Sequence, residues 1–354
     1  MLLKNIWRPK GFVERNSWCN KINILFILLL TLPLLASCGK EKFTIHHNEF
    51  LVFGTLVDVT IATPPEQNVD AQTQHVQQLF QQMHKAFHAW EAGELVTLNE
   101  ALAQGRTTTI SDELLQLIQA AIPPAIQSEH LFNPAIGKLI GAWGFHREDW
   151  ENTPLPDPDW VKLMVASHPT MEDLDIDGHR ISSHNRDVEL DFGAFAKGYG
   201  IELAMNWLKA QGIHNAIINA GGNLRAMGSK GDEPWRIGIA HPRKKTLLGT
   251  IEIQGDESLM TSGDYERFYI RDGKRYQHII DPNTGFPAQG TSAVTVIHSN
   301  AGIADAASTA LLIAGEKNWE RIAKSMGIAY VLLMTEDGRL IMSPKMRNRV
   351  TLAE

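Results

Sequence analysis

Two residues on one predicted helix carry side chains that suit a magnesium site. The stretch "AGIADAASTALLIAG" (301–315) repeats apolar residues at helical spacing, and Asp305 and Thr309 fall one turn apart on the same face. A carboxylate on an apolar helix needs a partner because burying an unpaired charge is costly. Carboxylate and hydroxyl oxygens suit Mg²⁺ when a backbone carbonyl and phosphate oxygens complete its shell. The alternative is that Asp305 caps the helix and Thr309 bonds back to a backbone carbonyl.

A histidine and a second carboxylate occur together in "YQHIIDPNTGFP" (276–287). Asp272-Gly273 predicts a type I′ turn that pairs 265–271 with 274–280. We therefore expect His278 to be held on a rigid strand, with Asp281 at the strand's end. Both side chains are candidates for accepting a proton, whereas a structural role is the alternative for the histidine.

Two glycine-containing stretches predict sites of close backbone approach. In "DFGAFAKG" (191–198) an acidic residue ends a strand, a glycine permits a turn, and Lys197 falls in the first turn of a helix. Backbone N–H groups at a helix N-terminus, together with a lysine, favour a phosphate. In "NAGGNLRAMG" (219–228) the paired glycines permit positive φ. An ordinary strand–helix turn and an ordinary tight turn are the alternatives.

The elements that must position these residues mix helices and strands without regular βαβ alternation, which predicts an α+β or mixed α/β fold. No GxGxxG or Walker A string is present, so a Rossmann or P-loop site is unfavoured. We predict paired strands over 43–63 around Gly54-Thr55; helices over 69–90, from Ser111 to a break or kink at Pro123-Pro124, over 132–145, 301–315 and 317–325; and strands near 235–240, 249–254 and 292–298.

The first forty residues predict export. Five basic side chains precede the apolar run "INILFILLLTLPLLAS", which is short for a bilayer and ends in small residues. The sequence "LASC" (35–38) is similar to a bacterial lipobox, in which the cysteine is acylated, as with palmitate. We therefore expect a signal peptide over 1–37, a lipidated Cys38, and a domain over 38–354 anchored to a membrane on its periplasmic side.

Cysteine content and net charge argue against a disulfide-stabilised domain, a thiolate metal site and a nucleic-acid-binding function. The chain has two cysteines, Cys19 in the leader and Cys38, so the domain has no disulfide and no thiolate metal site. The formal net charge of the chain is −7, and residues 1–37 contribute +4, which leaves −11 for the rest. A nucleic-acid partner would call for a basic surface, and we expect none.

In order and spacing, the four chemistry-bearing stretches resemble the FAD:protein FMN transferase family, the ApbE-type flavin transferases. The resemblance extends to "FGTLVDVTI", "AFHAWEAGELVTLNEA" and "LFNPAIGKLIGAWGFH". It implies a T-fold-like domain with a second, smaller region and FAD bound between them. It also implies Mg²⁺-dependent cleavage of the FAD diphosphate, transfer of FMN to a threonine hydroxyl and release of AMP. The implied acceptors are flavin-carrying subunits of membrane electron-transport complexes such as Na⁺-translocating NADH:quinone reductase.

The resemblance also assigns residues. The metal would be held by the backbone carbonyl of Ala194 and the side chains of Asp305 and Thr309. The family's usual Met and Asp are replaced by Phe53 and Asn133, which leaves the metal ligands intact. The residues that would contact FAD are Phe53, Trp90, Leu131, Phe132, Asn133, Asp191, Lys197 and His278.

The chemistry leaves alternatives open. Attack on a diphosphate needs charge neutralisation, a positioned hydroxyl and a proton acceptor. His278 is our candidate for activating the acceptor threonine, and Asp281 is the other candidate base. A Mg²⁺-dependent FAD pyrophosphatase that yields FMN and AMP is an alternative function. A non-catalytic flavin-binding lipoprotein is another.

Overall fold

The computed structural model describes residues 43–147, 149–253 and 255–353. The predicted signal peptide and the lipidation of Cys38 lie outside the described residues. The described residues form one compact unit that mixes helices with antiparallel sheets, which confirms the predicted fold class. Among the helices of the described residues, none has the length and apolar character needed to cross a membrane.

An eight-stranded antiparallel sheet organises the unit, with strand order β1-β2-β6-β7-β10-β13-β14-β15. Smaller sheets have the orders β16-β9-β8, β3-β5-β4 and β11-β12. The strands are β1 Thr44–Val52, β2 Thr55–Thr63, β3 Thr108–Thr109, β4 Leu174–Asp177, β5 Arg180–Ser183, β6 Ala216–Ala220, β7 Asn223–Gly228, β8 Trp235–Ala240, β9 Leu247–Ile253, β10 Gly255–Gly263, β11 Phe268–Arg271, β12 Lys274–Gln277, β13 Thr291–His298, β14 Tyr330–Thr335, β15 Leu340–Met342 and β16 Val350–Leu352.

Side chains alternate between the two faces of the large sheet and so build two separate cores. In β13, Val294 and Val296 face the larger core, which the helices complete, whereas Ile297 faces a second core closed by the β16-β9-β8 sheet. The helices are α1 Asp70–Phe87, α2 Glu94–Ala103, α3 Asp112–Gln127, α4 Gly137–Trp143, α5 Pro158–Ser167, α6 Ala196–Ala210, α7 Ala301–Ser325 and α8 Pro344–Arg347, with 3₁₀ turns at Trp150–Asn152 and Met171–Asp173.

The residues that favour tight turns predicted the positions of two β-hairpins to within one residue. Asp272 and Gly273 have φ of 50° and 74° and join β11 to β12, as predicted. The β1–β2 turn is one residue earlier than predicted: Phe53 and Gly54 have φ of 52° and 67°, and Thr55 already belongs to β2. A type I′ turn needs positive φ at both central residues, and this pair supplies it.

Helix ends depart from the predictions at three places. α1 ends at Phe87 rather than at 90, and α4 is shorter than the predicted 132–145 helix. α3 continues through Pro123-Pro124 to Gln127, so of the predicted break or kink, the break is wrong. Pro124 is buried against the core together with Ala121 and Ala125, and this packing outweighs the two missing N–H groups. The two helices predicted over 301–325 are confirmed, because Gly315 interrupts α7 with non-helical dihedrals.

Candidate active site

Asp305 lies in the second turn of α7 and is 2% exposed. Asn300 caps this helix, its side chain accepting from the Ile303 amide at 2.9 Å, so the alternative in which Asp305 is the cap is wrong. The Asp305 carboxylate accepts from the backbone N–H of Gly198 at 2.9 Å and from the side-chain amide of Asn223 at 3.0 Å. Burial raises its pKa, and Lys197 opposes that rise. Asp305 is therefore a buried carboxylate with two donors and one nearby cation.

Thr309 lies one turn further along α7 and is largely buried. Its hydroxyl is 3.1 Å from the hydroxyl of Ser262 on β10, which also contacts Ser308 at 2.8 Å. The hydroxyl that bonds back to the helix is that of Ser308, which donates to the Asp305 carbonyl at 2.9 Å. Thr309 thus presents an oxygen beside Asp305 on the face of α7 that meets β10.

The start of α6 packs directly against Asp305. A Cβ at Gly198 would lie 2.6 Å from the Cβ of Asp305 and closer still to the Ala301 carbonyl oxygen. Only glycine permits this approach between α6 and α7. Ala194 lies four residues before Gly198, in the loop that leads into α6. The predicted donors are a carboxylate, a hydroxyl and a backbone carbonyl, all hard oxygens, and a set of this kind fits Mg²⁺.

The positive charge of Lys197 lowers the pKa of both Asp305 and His278. Burial, then Lys197, lower the pKa of His278 to about 4. β12 ends at Gln277, so His278 follows the strand instead of lying within it. It remains anchored, because its backbone N–H donates to the Arg267 carbonyl at 3.1 Å and its Nδ1 lies 3.3 Å from the same oxygen. A carbonyl can only accept, so Nδ1 carries the proton and Nε2 keeps a free lone pair.

Asp281 occupies a different environment. Its Oδ1 accepts from the Asn283 amide at 2.9 Å, and its carbonyl accepts from the Gly285 amide at 2.8 Å. Burial raises its pKa, and its hydrogen-bond partners come from its own turn. Together with Leu131 it lines a cavity of about 260 Å³ that also borders α7. Asp281 therefore stabilises its own turn, whereas the charge of Lys197 lowers the pKa of both His278 and Asp305.

Asp191 lies beside two aromatic side chains, Trp90 and His146, which stack on each other. The Trp90 indole N–H donates to one carboxylate oxygen at 3.0 Å, and the Gly193 amide donates to the other at 2.7 Å. Trp90 stacks on His146 with ring centroids 4.1 Å apart. Burial raises the pKa of Asp191 despite these two donors. Phe53 lies at the tip of the β1–β2 hairpin and is half-buried.

The other predicted FAD contacts lie deeper in the fold. Phe132 is fully buried and packs against Phe195, with ring centroids 5.7 Å apart. The Asn133 side chain donates to the Pro169 carbonyl at 2.8 Å and accepts from the Ala135 amide at 3.0 Å. Both of its polar ends are therefore engaged with backbone, whereas Leu131 lines the cavity beside Asp281.

Arg267 is a site residue that the sequence analysis missed. Its carbonyl holds His278, its guanidinium donates to the Phe145 carbonyl at 2.9 Å, and a Cβ at Gly54 would lie 3.2 Å from it. It thus joins the β1–β2 hairpin to the His278 segment. No local pattern marks this arginine, because Gly54 and Phe145 are more than a hundred residues away from it in sequence.

Comparison with known proteins places the chain. A family model described as the ApbE family matches residues 53–332. The chain belongs to the ApbE family. A Rhodobacter capsulatus protein named FAD:protein FMN transferase is 41% identical over 305 residues, covering 86% of this chain and 58% of the relative. This chain therefore spans less than two thirds of that relative. A Vibrio cholerae protein of the same name is 27% identical, covering 88% of this chain and 94% of the relative.

Solved structures of ApbE proteins share the fold. The crystal structure of the ApbE protein from Thermotoga maritima matches with a TM-score of 0.79 and 28% identity, covering 87% of this chain and all of that one. The flavin transferase ApbE from Vibrio cholerae matches with a TM-score of 0.75 and 26% identity, also over 87% of this chain. These matches confirm the ApbE-type fold that the sequence predicted.

Proposed function

We propose that this protein transfers FMN from FAD to a threonine hydroxyl of an acceptor protein and releases AMP. The observation that carries the proposal is the buried oxygen pair of Asp305 and Thr309, with Asp305 held by the backbone N–H of Gly198, the residue after Lys197. A non-catalytic flavin carrier has no need of this arrangement. The name FAD:protein FMN transferase, borne by relatives from several organisms, supports the same activity.

The proposed reaction exchanges one phosphorus–oxygen bond for another. The acceptor Oγ bonds to the phosphorus of the FMN half, and the bond from that phosphorus to the bridging oxygen breaks, so AMP leaves with that oxygen. The threonine proton passes to Nε2 of His278, whose neutral ring has a free lone pair there. Asp281 is the less favoured base, because its carboxylate is engaged by its own turn.

Asp305, Thr309 and the Ala194 carbonyl would hold Mg²⁺. When bound there, the ion would supply charge neutralisation for the diphosphate oxygens. Lys197 in the first turn of α6 adds a positive charge to the same corner, where the helix N-terminus also favours an anion. Asp305 itself is positioned by Gly198 and Asn223, so the ligand geometry is fixed before substrate arrives.

The ring systems of FAD would lie against the aromatic and apolar side chains outside this corner. Trp90 and Phe53 are half-buried and present ring surface, and Leu131 lines the cavity beside Asp281. Asp191, held by the Trp90 indole, offers a carboxylate acceptor for a polar edge of the ligand. Phe132 and Asn133 would support these residues from behind.

We further propose that a lipid on Cys38 holds the protein at the periplasmic side of a membrane. Its acceptors would then be exported or membrane-bound flavin carriers, such as subunits of Na⁺-translocating NADH:quinone reductase. The lipobox-like "LASC" supports the anchor. Globomycin, which blocks lipoprotein signal cleavage, should then cause the unprocessed precursor to accumulate in the producing cells.

Incubation of the protein with FAD, Mg²⁺ and a candidate acceptor tests the reaction. Flavin fluorescence on the acceptor in a denaturing gel, with equimolar AMP by chromatography, is the expected result. Free FMN and AMP without a labelled acceptor would identify a pyrophosphatase, and bound but intact FAD would identify a carrier. Thr309→Val is the matched variant, because it keeps the shape of the side chain and removes one proposed metal ligand.

A further inference from the structure

A second group of metal-ligating side chains shares no residue with the proposed Mg²⁺ site. His84, His88 and Glu91 each offer one ligand atom, and these three atoms lie within 4.8 Å of one another. We propose that this His–His–Glu cluster binds one transition-metal ion, with Zn²⁺ the best match. The site is distinct from the proposed Mg²⁺ site and goes beyond the proposed transferase activity.

The end of α1 brings the three residues together. His84 lies in the last turn of α1, and His88 follows the helix as its C-cap in extended conformation. Residues four apart on a helix share a face, so the two imidazoles meet, with ring centroids 5.1 Å apart. The chain then turns and brings Glu91 back to His88, where Nε2 and Oε1 are 3.6 Å apart. The C-terminus of a helix carries partial negative charge, which favours a cation.

The donor set selects the metal. Two imidazole nitrogens and one carboxylate oxygen are typical zinc ligands, whereas Mg²⁺ prefers oxygen alone. Donors around a tetrahedral zinc are roughly 3.4 Å apart for metal–ligand distances of about 2.1 Å. The His88–Glu91 pair is already close to this separation, and the Glu91 side chain, 73% exposed, is free to move. Closing the cluster therefore needs a side-chain rotation of Glu91 and a small inward shift of the rings.

His84 is available as a ligand. Its Nδ1 is buried and has no hydrogen-bond partner among the described residues. Burial lowers its pKa, so the ring is neutral at neutral pH and can coordinate. Phe53 packs edge-on against the ring at 5.4 Å, which limits its rotation. A neutral imidazole without a partner on one nitrogen has little to lose by coordinating a metal.

His88 links the cluster to Trp90. Its Nδ1 accepts from the backbone amides of Trp90 at 3.2 Å and of Glu91 at 2.9 Å, so Nε2 carries the proton in the metal-free protein. Coordination through Nε2 moves that proton to Nδ1 and opens the two amide contacts. This rearrangement weakens metal binding relative to a preformed site.

Zinc titration of the chelator-treated full chain tests the cluster, without flavin or Mg²⁺ and with a chromogenic chelator as competitor. We expect one equivalent of Zn²⁺ to bind in the wild type. His84→Gln should weaken that binding at least tenfold, and Glu91→Gln should weaken it several-fold. His75→Gln is the matched control, because His75 lies on the same helix, stacks on Trp207 and is outside the cluster. Its affinity should equal that of the wild type.

Circular dichroism of the metal-free variants separates lost ligands from lost folding. If His84→Gln is not folded, the exposed Glu91→Gln variant decides the result. The proposal is overturned if no stoichiometric binding occurs, if folded His84→Gln retains the affinity, or if His75→Gln loses as much. Failure here would leave the transferase proposal intact, because the assay contains neither flavin nor acceptor.

Discussion

Replacing Gly198 by alanine should separate α6 from α7 and disturb Asp305. The added Cβ would lie 2.6 Å from the Cβ of Asp305, whereas carbon atoms in contact prefer about 3.5–4.0 Å, so the helices must move apart by about 1 Å. The obstructing atoms belong to the backbone of Ala301 and to Cβ of Asp305, and neither can rotate away. Overpacking of this kind costs about 3 kcal/mol at the upper end of its usual range.

Part of that cost is offset by helix propensity. Alanine stabilises a helix interior by about 1 kcal/mol relative to glycine, which leaves a net loss of about 2 kcal/mol. For a unit of some 310 residues, this corresponds to a fall of about 3 °C in Tm. A displacement of about 1 Å at a catalytic group lowers a rate by about 100-fold. We therefore expect a modest loss of stability and a large loss of FMN transfer.

Gly200→Ala is the control on the same helix. There the nearest atoms to an added Cβ are the Met83 Cε at 3.0 Å and a Phe80 ring carbon at 3.2 Å. A methionine side chain can adjust, so Tm should stay within about 2 °C of the wild type and the rate within about twofold. Differential scanning fluorimetry and the in-gel flavin assay measure both quantities. If the two alanine variants behave alike, the close approach at Gly198 does not position Asp305.

The remaining predictions concern Asp305, His278 and Trp90. Asp305→Asn should lower the rate of FMN transfer at least about 100-fold, because the variant removes the negative charge of a proposed metal ligand. A tenfold increase in Mg²⁺ concentration should not restore the rate. Because His278 has a pKa of about 4, kcat/KM should stay level from pH 7 to 6 and fall only as pH approaches 4. Between pH 6.5 and 4, His278 is protonated in the unfolded chain but not in the folded protein, so the free energy of unfolding decreases as the pH is lowered through this range. His278→Gln should therefore make Tm depend less on pH. Trp90→Phe should raise the FAD dissociation constant about tenfold in a fluorescence titration, since Asp191 loses its indole donor and the ligand meets a smaller ring; an unchanged constant would remove Trp90 from the site.

Local chemistry explains which parts of the fold the sequence predicted. The Asp272-Gly273 dipeptide strongly favours a two-residue β-hairpin turn. The spacing of Asp305 and Thr309 places them on the same face of a helix. The paired Gly221-Gly222 turn between β6 and β7 follows from the same reasoning, because both residues have positive φ. Each of these features depends on a few consecutive residues.

The features that the sequence did not predict depend on contacts between segments that are distant in sequence. Arg267 acquires its role from Gly54 and Phe145, and Gly198 is required because of Asp305, 107 residues away. The helix through Pro123-Pro124 persists because the core holds it. His84 and His88 have helical i, i+4 spacing in the sequence, but their approach to Glu91 depends on how the chain leaves α1.

A crystal structure of the protein grown with FAD and Mn²⁺, recorded at the manganese absorption edge, tests the central claim most directly. Manganese replaces magnesium at oxygen sites and gives an anomalous signal. We predict a peak within about 2.5 Å of the Asp305 carboxylate and the Thr309 hydroxyl, in contact with the FAD diphosphate. A bound FAD whose diphosphate lies away from an empty Asp305–Thr309 pair would contradict the account.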